Sequence, residues 1–418
     1  MHTLAPAASL LLLSAPASAQ EDPAIRDAAG IAEDVAKLAG EPLEQPARAD
    51  VMDEAELRAF VQRRMAEDAE GLATLPHVDH LLKRLRLVPD DLDLVQLFQS
   101  TVSEEAAGLY DDEDGVLYLI RHGDAPPSQT DRLVLAHESG HLVDDRRWDL
   151  SAQRDALDGS LDHDVVLSVL WEGSATVQMA RYGWGLEQAG LLDGESAHLM
   201  THWLEPHTAE YDGLPPFLQD RMVAPYLLGQ AVVESGPVGA EVLGAIVDPS
   251  RARLDAWMKA PPRTMAALLH PERAERPPAH AELAPLLAKL GWTMMHEDRV
   301  GELFTATALA RPFPQGKAAL TTAGWTNPAA TGWVGDQLVV ARRADDAAVD
   351  LWITAWQTPE DRAEFVAAWG LAHPEVAAVE VADRLAVVAW DLERGELRQI
   401  RRGLRRARWS GGGEGWSP

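Results

Sequence analysis

Between Glu21 and about Thr101 the apolar positions fall at helical spacing, with one extended piece near Ala47–Val51. Asp53 followed by Glu56 has the form of a capping pair opening the helix that carries Leu57, Phe60 and Val61. Leu81–Leu87 and Leu92–Phe98 are further amphipathic stretches. The period then shortens, and Gly108–Ile120 reads as a β-hairpin with an acidic turn closed by Gly115. Helical spacing returns at Leu133–Val143, Val165–Val177 and Met222–Val233. From about Ala281 the pattern changes again. Strand-like runs stand at Gln337–Val340, Val349–Trp356, Val376–Val381 and Leu385–Trp390, and the spacing predicts a helix over Pro359–Trp369 opened by Thr358. Nine of the 14 tryptophans lie beyond Ala281, at spacings that place them in a core rather than on a ligand platform.

The helical run Leu133–Val143 contains His137-Glu138-Ser139-Gly140-His141, an intact H-E-x-x-H. Residues four apart share one helix face, so His137 and His141 can direct their imidazoles at one point. Leu133, Val134 and Ala136 before the motif, with Leu142 and Val143 after it, predict a largely buried helix. Two histidines and a carboxylate are costly there without a partner such as a metal ion. The next helical run, Val165–Val177, is almost wholly apolar or small except for Glu172. Packed against the first helix, it would bring a third ligand, with Gly173 and Ala175 permitting close approach. His137, His141 and Glu172 are thus the expected zinc ligands, with Asp144, Asp145 and Asp164 as competitors for the third place. Glu138, beside the metal, has the position of a general base that takes a proton from the attacking water.

These residues resemble those of a zincin of the gluzincin type, in which two motif histidines and a later glutamate bind zinc. More narrowly, the chain is similar to a family of poorly characterised secreted bacterial metallopeptidases. The matching stretches are Ala107–Asp111, Leu135–Asp145, Trp171–Thr176 and Pro261–Glu272. The resemblance implies zinc-dependent peptide hydrolysis. In one place the chain departs from it: Ser174 stands where an aspartate after Glu-Gly is expected, which leaves Asp145 as the better candidate to orient a ligand histidine. For the donor that stabilises the oxyanion, Tyr211, Tyr226, His207 and His270 all remain open.

Composition adds bounds. A chain of 418 residues with 46% hydrophobic content can form two or three globular domains. A formal charge of -29 argues against nucleic acid or an anionic membrane as partner. The arginines from Arg401 to Arg408 read as a solvated helix end. Leu4–Ala15 is apolar and Ala17-Ser18-Ala19 offers an A-x-A cleavage site, so export is expected, periplasmic or extracellular. The chain has no cysteine, so neither disulfides nor a lipidated cysteine can anchor it, and no other run reaches transmembrane length.

The expected architecture is α+β, divided into a signal peptide (1–19), an N-terminal helical region (20–106), a mostly helical zincin-like core with a small sheet (107–280), a small α+β domain (281–408) and a disordered tail (409–418). The C-terminal domain has a ferredoxin-like arrangement as one possible form. The expected function is hydrolysis of a peptide or protein substrate with Zn2+ as cofactor; the sequence leaves oligomeric state open. Two rival readings stand beside it. One is a degenerate zincin acting as a binding or assembly module, against which the intact Glu138 and the lack of cysteine speak. The other is a zinc amidase acting on cell-wall material.

Overall fold

The structure, a computed structural model, describes residues 23–67, 69–94, 108–121, 128–194, 196, 213–234, 252–345 and 347–418. The expected signal peptide lies outside the described residues, as does most of Leu92–Phe98. The chain is α+β, with helices gathered in the N-terminal part around a small sheet and an antiparallel sheet with helices in the C-terminal part.

Helix α1 (Pro23–Leu38) leads to strand β1 (Arg48–Asp53) and helices α2 (Glu54–Glu67) and α3 (Ala69–Arg84). The expected capping pair forms: Glu56 N donates to Asp53 Oδ1 at 2.8 Å and Asp53 N donates to Glu56 Oε2 at 2.9 Å. Such a reciprocal cap is worth about 1 kcal/mol to the helix start. The predicted hairpin is β2 (Gly108–Asp111) and β3 (Val116–Arg121), and β1 adds to it in parallel, giving the order β1-β3-β2. Strand β2 is therefore an edge. Its acidic turn is held by Arg64 of α2, which bonds both carboxylate oxygens of Asp111 at 2.8 and 2.7 Å and also reaches Glu113.

Three long helices follow: α4 (Gln129–Trp148), α5 (Leu161–Gln188) and α6 (Pro216–Glu234). Helix α4 packs against α1, β2 and α5, and α5 packs in turn against α6. One core joins Ile31 and Val35 of α1, Leu117 and Leu119 of β3, Leu133 and Leu142 of α4, and Met179 and Tyr182 near the end of α5. A second core takes Val165, Val169 and Leu170 from α5 and Phe217 and Leu228 from α6, and continues without a break into the C-terminal part.

That part comprises β4 (Thr293–Asp298), α7 (Gly301–Ala308), β5 (Trp333–Arg342), β6 (Ala348–Trp356), α8 (Pro359–Ala372), β7 (Ala378–Ala382), β8 (Leu385–Trp390) and α9 (Arg394–Leu404). The strands form one sheet in the order β4-β5-β6-β8-β7, every neighbouring pair antiparallel. The unit β6-α8-β7-β8, with β8 seated between β6 and β7 and antiparallel to both, is a split β-α-β of the expected ferredoxin-like kind; the departure is that β5, which precedes it in the chain, holds the place beside β6. Both faces of the sheet are covered. Leu338, Val340, Trp352, Trp356, Ala386 and Val388 face the core shared with α5 and α6, while Val339, Leu351, Ile353 and Val387 face a third core with α9. Double burial explains why Leu351–Trp356 reads as a continuous apolar run instead of alternating. Trp352 and Trp356 pack edge and face on Phe365 and Trp369 of α8, with ring centroids 4.8–5.5 Å apart.

The tail expected to be disordered is packed. Trp409–Ser410 pairs antiparallel with His280–Ala281, Gly412 N donates to Pro277 O at 2.8 Å, and Trp416 Nε1 donates to Trp356 O at 2.9 Å. Gly411, Gly412 and Gly413 serve here as left-handed positions with φ of 73–90°, where side chains would be strained. Glycines that read as flexible from sequence are thus the means by which the tail folds back on the sheet.

Candidate metal centre

Helix α4 starts at a capping box: Asp131 N donates to Ser128 Oγ at 3.0 Å, and Ser128 N donates to Asp131 Oδ2 at 2.7 Å. The helix ends after Arg146 and Arg147, whose charges suit its C-terminus. Within it, Leu133, Ala136, His137, Gly140 and Val143 are buried. Helix α5 is capped by Ser160 and carries Asp162 and Asp164 in its first turn. The two helices meet where side chains are smallest. A Cβ on Gly140 would lie 2.9 Å from Ala175 Cα, so backbone nearly touches backbone one residue from His141. Gly173 makes the corresponding approach to α6, where an added Cβ would lie 2.5 Å from the Gly229 carbonyl carbon. Ala175 therefore serves the α4 contact, as expected, whereas Gly173 serves a third helix.

This packing brings Glu172 to the histidines. Its Oε2 is 2.9 Å from His137 Nε2 and 3.5 Å from His141 Nε2, and the two Nε2 atoms are 3.2 Å apart. The imidazoles meet edge to face, with centroids 4.8 Å apart. Glu138 is also close: ligand atoms of His137, Glu138 and His141 all lie within 4.8 Å of one another, a group that could hold a metal ion. Glu138 Oε2, however, accepts the outward N–H of Tyr110 on edge strand β2 at 2.9 Å. Strand β2 thus spends that edge donor on Glu138.

The donor set fits a zinc ion. A tetrahedral ion with bonds of about 2.0–2.1 Å places its ligand atoms about 3.3 Å apart. The separations of 2.9, 3.2 and 3.5 Å bracket that value. Charge points the same way. Burial alone would lower the pKa of His141, but the carboxylates of Glu172, Glu138 and Asp144 overcome it and raise it to about 9. Glu172 is buried too, yet the His141 and His137 imidazoles hold it well below the ordinary carboxylate range. A cluster with this balance demands a positive charge at its centre, which a proton or a metal cation can supply.

The family model for a domain of unknown function, DUF8575, matches residues 289–409. No curated protein and no solved structure matches the chain. The match covers the C-terminal sheet and none of the metal-centre residues.

Of the candidate oxyanion donors, Tyr226 on α6 is at the site. Its ring centroid is 5.9 Å from that of His137, and the charge of Glu172, then burial and Glu138, hold its hydroxyl proton on well above the ordinary range. His270 is elsewhere, bonded through Nε2 to the buried Glu302 at 2.7 Å. Tyr211 and His207 lie outside the described residues. Asp145 does not orient a histidine: it accepts Tyr110 Oη–H at 2.6 Å and Leu150 N–H at 2.9 Å. Asp164 pairs with Arg221 at 2.9 Å, away from the histidines. Ser174 is linked through Gln178, whose Nε2 lies 3.3 Å from Ser174 Oγ and donates to Asp144 Oδ1 at 3.0 Å. Tyr110 and Gln178 are the site residues missed from sequence; a buried amide one turn beyond Ser174 was the available signal for Gln178.

Proposed function

We propose that this protein is an exported zinc-dependent hydrolase of peptide bonds, of the gluzincin type. One observation carries the reading: a carboxylate from a second helix converges on both histidines of an H-E-x-x-H at ligand-to-ligand spacing. His137, His141 and Glu172 would hold the metal. Zinc, when bound, supplies a Lewis acid that lowers the pKa of water and polarises a carbonyl.

The protein's own groups divide the remaining work. Glu138 is held at Oε2 by the Tyr110 amide, which leaves its other oxygen to take a proton from the attacking water and pass it to the leaving amine. Tyr226, kept protonated by its neighbours, donates its hydroxyl to the oxygen that gains charge in the tetrahedral intermediate. Tyr110 in turn is fixed by its bond to Asp145, so the base is aimed by a strand whose own position is pinned.

The test pairs metal analysis of the purified protein with a digest of a peptide library read by mass spectrometry. One zinc per chain and cleavage that stops with chelator and returns with zinc are expected. Stoichiometric zinc with cleavage of cell-wall amides and not of peptides would move the reading to an amidase. For export, N-terminal sequencing of the protein recovered outside the cytoplasm should start near Gln20.

A further inference from the structure

Beside the metal centre lies a cavity of about 860 Å³, between the last turn of α4, the first half of α5 and the chain from Met258 to Arg263. One hydrogen-bonded path joins its wall to the centre, and a second bond joins it to the neighbour of the third ligand. Tyr110 donates its N–H to Glu138 and its hydroxyl to Asp145, which lines the cavity. Trp171, next to Glu172, donates its indole N–H at 3.0 Å to Gln153 on the same wall. The space therefore begins one side chain, that of Tyr110, away from the base, and its wall bonds the sequence neighbour of the third ligand.

The charges on this wall do not cancel. Its carboxylates are committed: Asp112 to Arg154 at 2.8 Å, Asp145 to Tyr110 and the Leu150 amide, and Asp149 to the Ala152 amide as a helix cap. Arg147 is likewise paired, with Glu41 and Asp255. Three cations lack a carboxylate partner among the described residues. Arg146 donates to the carbonyl of Gln45, and the side chains of Lys259 and Arg263 stand exposed at the rim. In a chain of net charge -29, a wall on which four cations, Arg146, Arg147, Lys259 and Arg263, stand against three carboxylates, Asp112, Asp145 and Asp149, is a local reversal of sign. Trp148, Leu167 and Met258 add apolar surface to the same wall.

We propose that this cavity is the substrate subsite on one side of the scissile bond, and that it selects a carboxylate there through Lys259, Arg263 and Arg146. The carboxylate belongs to an acidic side chain or to the peptide's own C-terminus. The inference rests on the peptidase reading and deepens it. Charge-assisted hydrogen bonds in a partly enclosed space discriminate a carboxylate from its amide, whereas the same cations in open water would do little.

Binding separates the two claims because it needs no turnover. Three fluorescein-labelled hexapeptides are titrated into the full chain carrying Glu138→Gln, with fluorescence anisotropy as readout: one rich in glutamate with an amidated C-terminus, one with glutamine and a free C-terminus, and one with glutamine and an amidated end. One or both carboxylate-bearing peptides should bind about tenfold or more tightly than the neutral one, as one charge-assisted bond predicts, with a preference that shrinks as salt is raised. Which of the two binds names the source of the carboxylate. Lys259→Glu with Arg263→Glu should remove the preference and leave the neutral peptide unaffected; Lys259→Gln with Arg263→Gln gives the same readout without added repulsion. Equal binding of all three peptides, no binding of any, or a preference that survives both double substitutions overturns the proposal. If the preference holds but the wild-type protein cleaves no peptide, the peptidase reading falls and the anion-selective subsite stands. If it cleaves peptides without regard to charge, the subsite falls alone.

Discussion

Two of the histidine–glutamate constellations in this molecule, one in the long helices and one where the C-terminal part begins, bury charge in opposite ways. At the first, Glu172 faces two imidazoles at once, 26% of its side chain is exposed, and a second glutamate waits beside it. At the second, Glu302 is fully buried, its Oε1 receives His270 Nε2–H at 2.7 Å and Thr326 Oγ–H at 2.5 Å, and the segment Met265–Leu269 closes over it. The second is sealed from solvent: one imidazole and one hydroxyl satisfy Oε1, and Oε2 is buried with no hydrogen-bond partner among the described residues. The first has more ligand atoms aimed at a point than protons can join, and a route to that point from solvent. A His–Glu pair near a cavity is thus not in itself a functional sign. Convergence of several lone pairs on one accessible point is.

The largest effect that can break this contrast is on turnover. Glu138→Gln should lower kcat by about 10²–10⁴-fold while zinc content and thermal midpoint stay near those of the parent, because a base is removed and not a ligand. Glu302→Gln should do the reverse, leaving kcat unchanged and costing about 1–3 kcal/mol of stability as the buried bonds to His270 and Thr326 weaken. A turnover defect in the second variant to match the first would mean the two constellations act together.

Metal content sharpens the same contrast. His137→Ala and His141→Ala should take zinc from one per chain to none, and His270→Ala should leave it untouched, by elemental analysis after dialysis. Glu172→Gln should be intermediate, retaining the helix but binding zinc more weakly, since an amide oxygen is a poorer ligand than a carboxylate. Full zinc affinity in Glu172→Gln would pass the third place to Glu138, the other carboxylate of the cluster.

The candidate metal centre was legible as a cluster because its residues are patterned locally. The i, i+4 histidines, the solitary acid in an apolar helix and the capping residues each carry their meaning within one or two turns. The hairpin, α8 and the strands β5, β6 and β8 were legible for the same reason. What sequence hid is set by distant partners. Strand β4, Thr293–Asp298, has no apolar alternation, since its pairing with β5 supplies what its side chains lack. Helix α7 buries Glu302 in an apolar run, which makes sense only once His270, over thirty residues earlier, is in place. The role given to Asp145 failed because Tyr110, a residue of the hairpin, claims it first. The seam at Ala281 marks a change of period but not a break in packing. Buried Arg311 bonds Asp220 of α6 at 2.5 Å, and Thr307 of α7 bonds the same carboxylate, so the C-terminal part holds the helix that carries Tyr226.

The smallest effect concerns how closely three helices must meet for the convergence to occur. Gly173 of α5 and Gly229 of α6 cross backbone to backbone, and a methyl on Gly173 would lie 2.5–2.6 Å from Gly229 atoms. Neither neighbour is a flexible side chain that can swing aside, so the helices themselves must part. Gly173→Ala should therefore cost about 1–3 kcal/mol, the range for overpacking a tight interior. Its effect on the site should be selective. Glu172 stays on the same helix as residue 173 and still faces α4, where the Gly140–Ala175 contact is unchanged, so zinc should be retained. Tyr226 rides on the helix that is pushed away, and its hydroxyl is the group that loses reach. The expected signature is a fall in kcat with KM and zinc content little altered, and Tyr226→Phe in the Gly173→Ala background should add almost nothing further. Should the two substitutions multiply instead, the displaced helix would not be acting through Tyr226, and the donor to the oxyanion would have to be sought on another element.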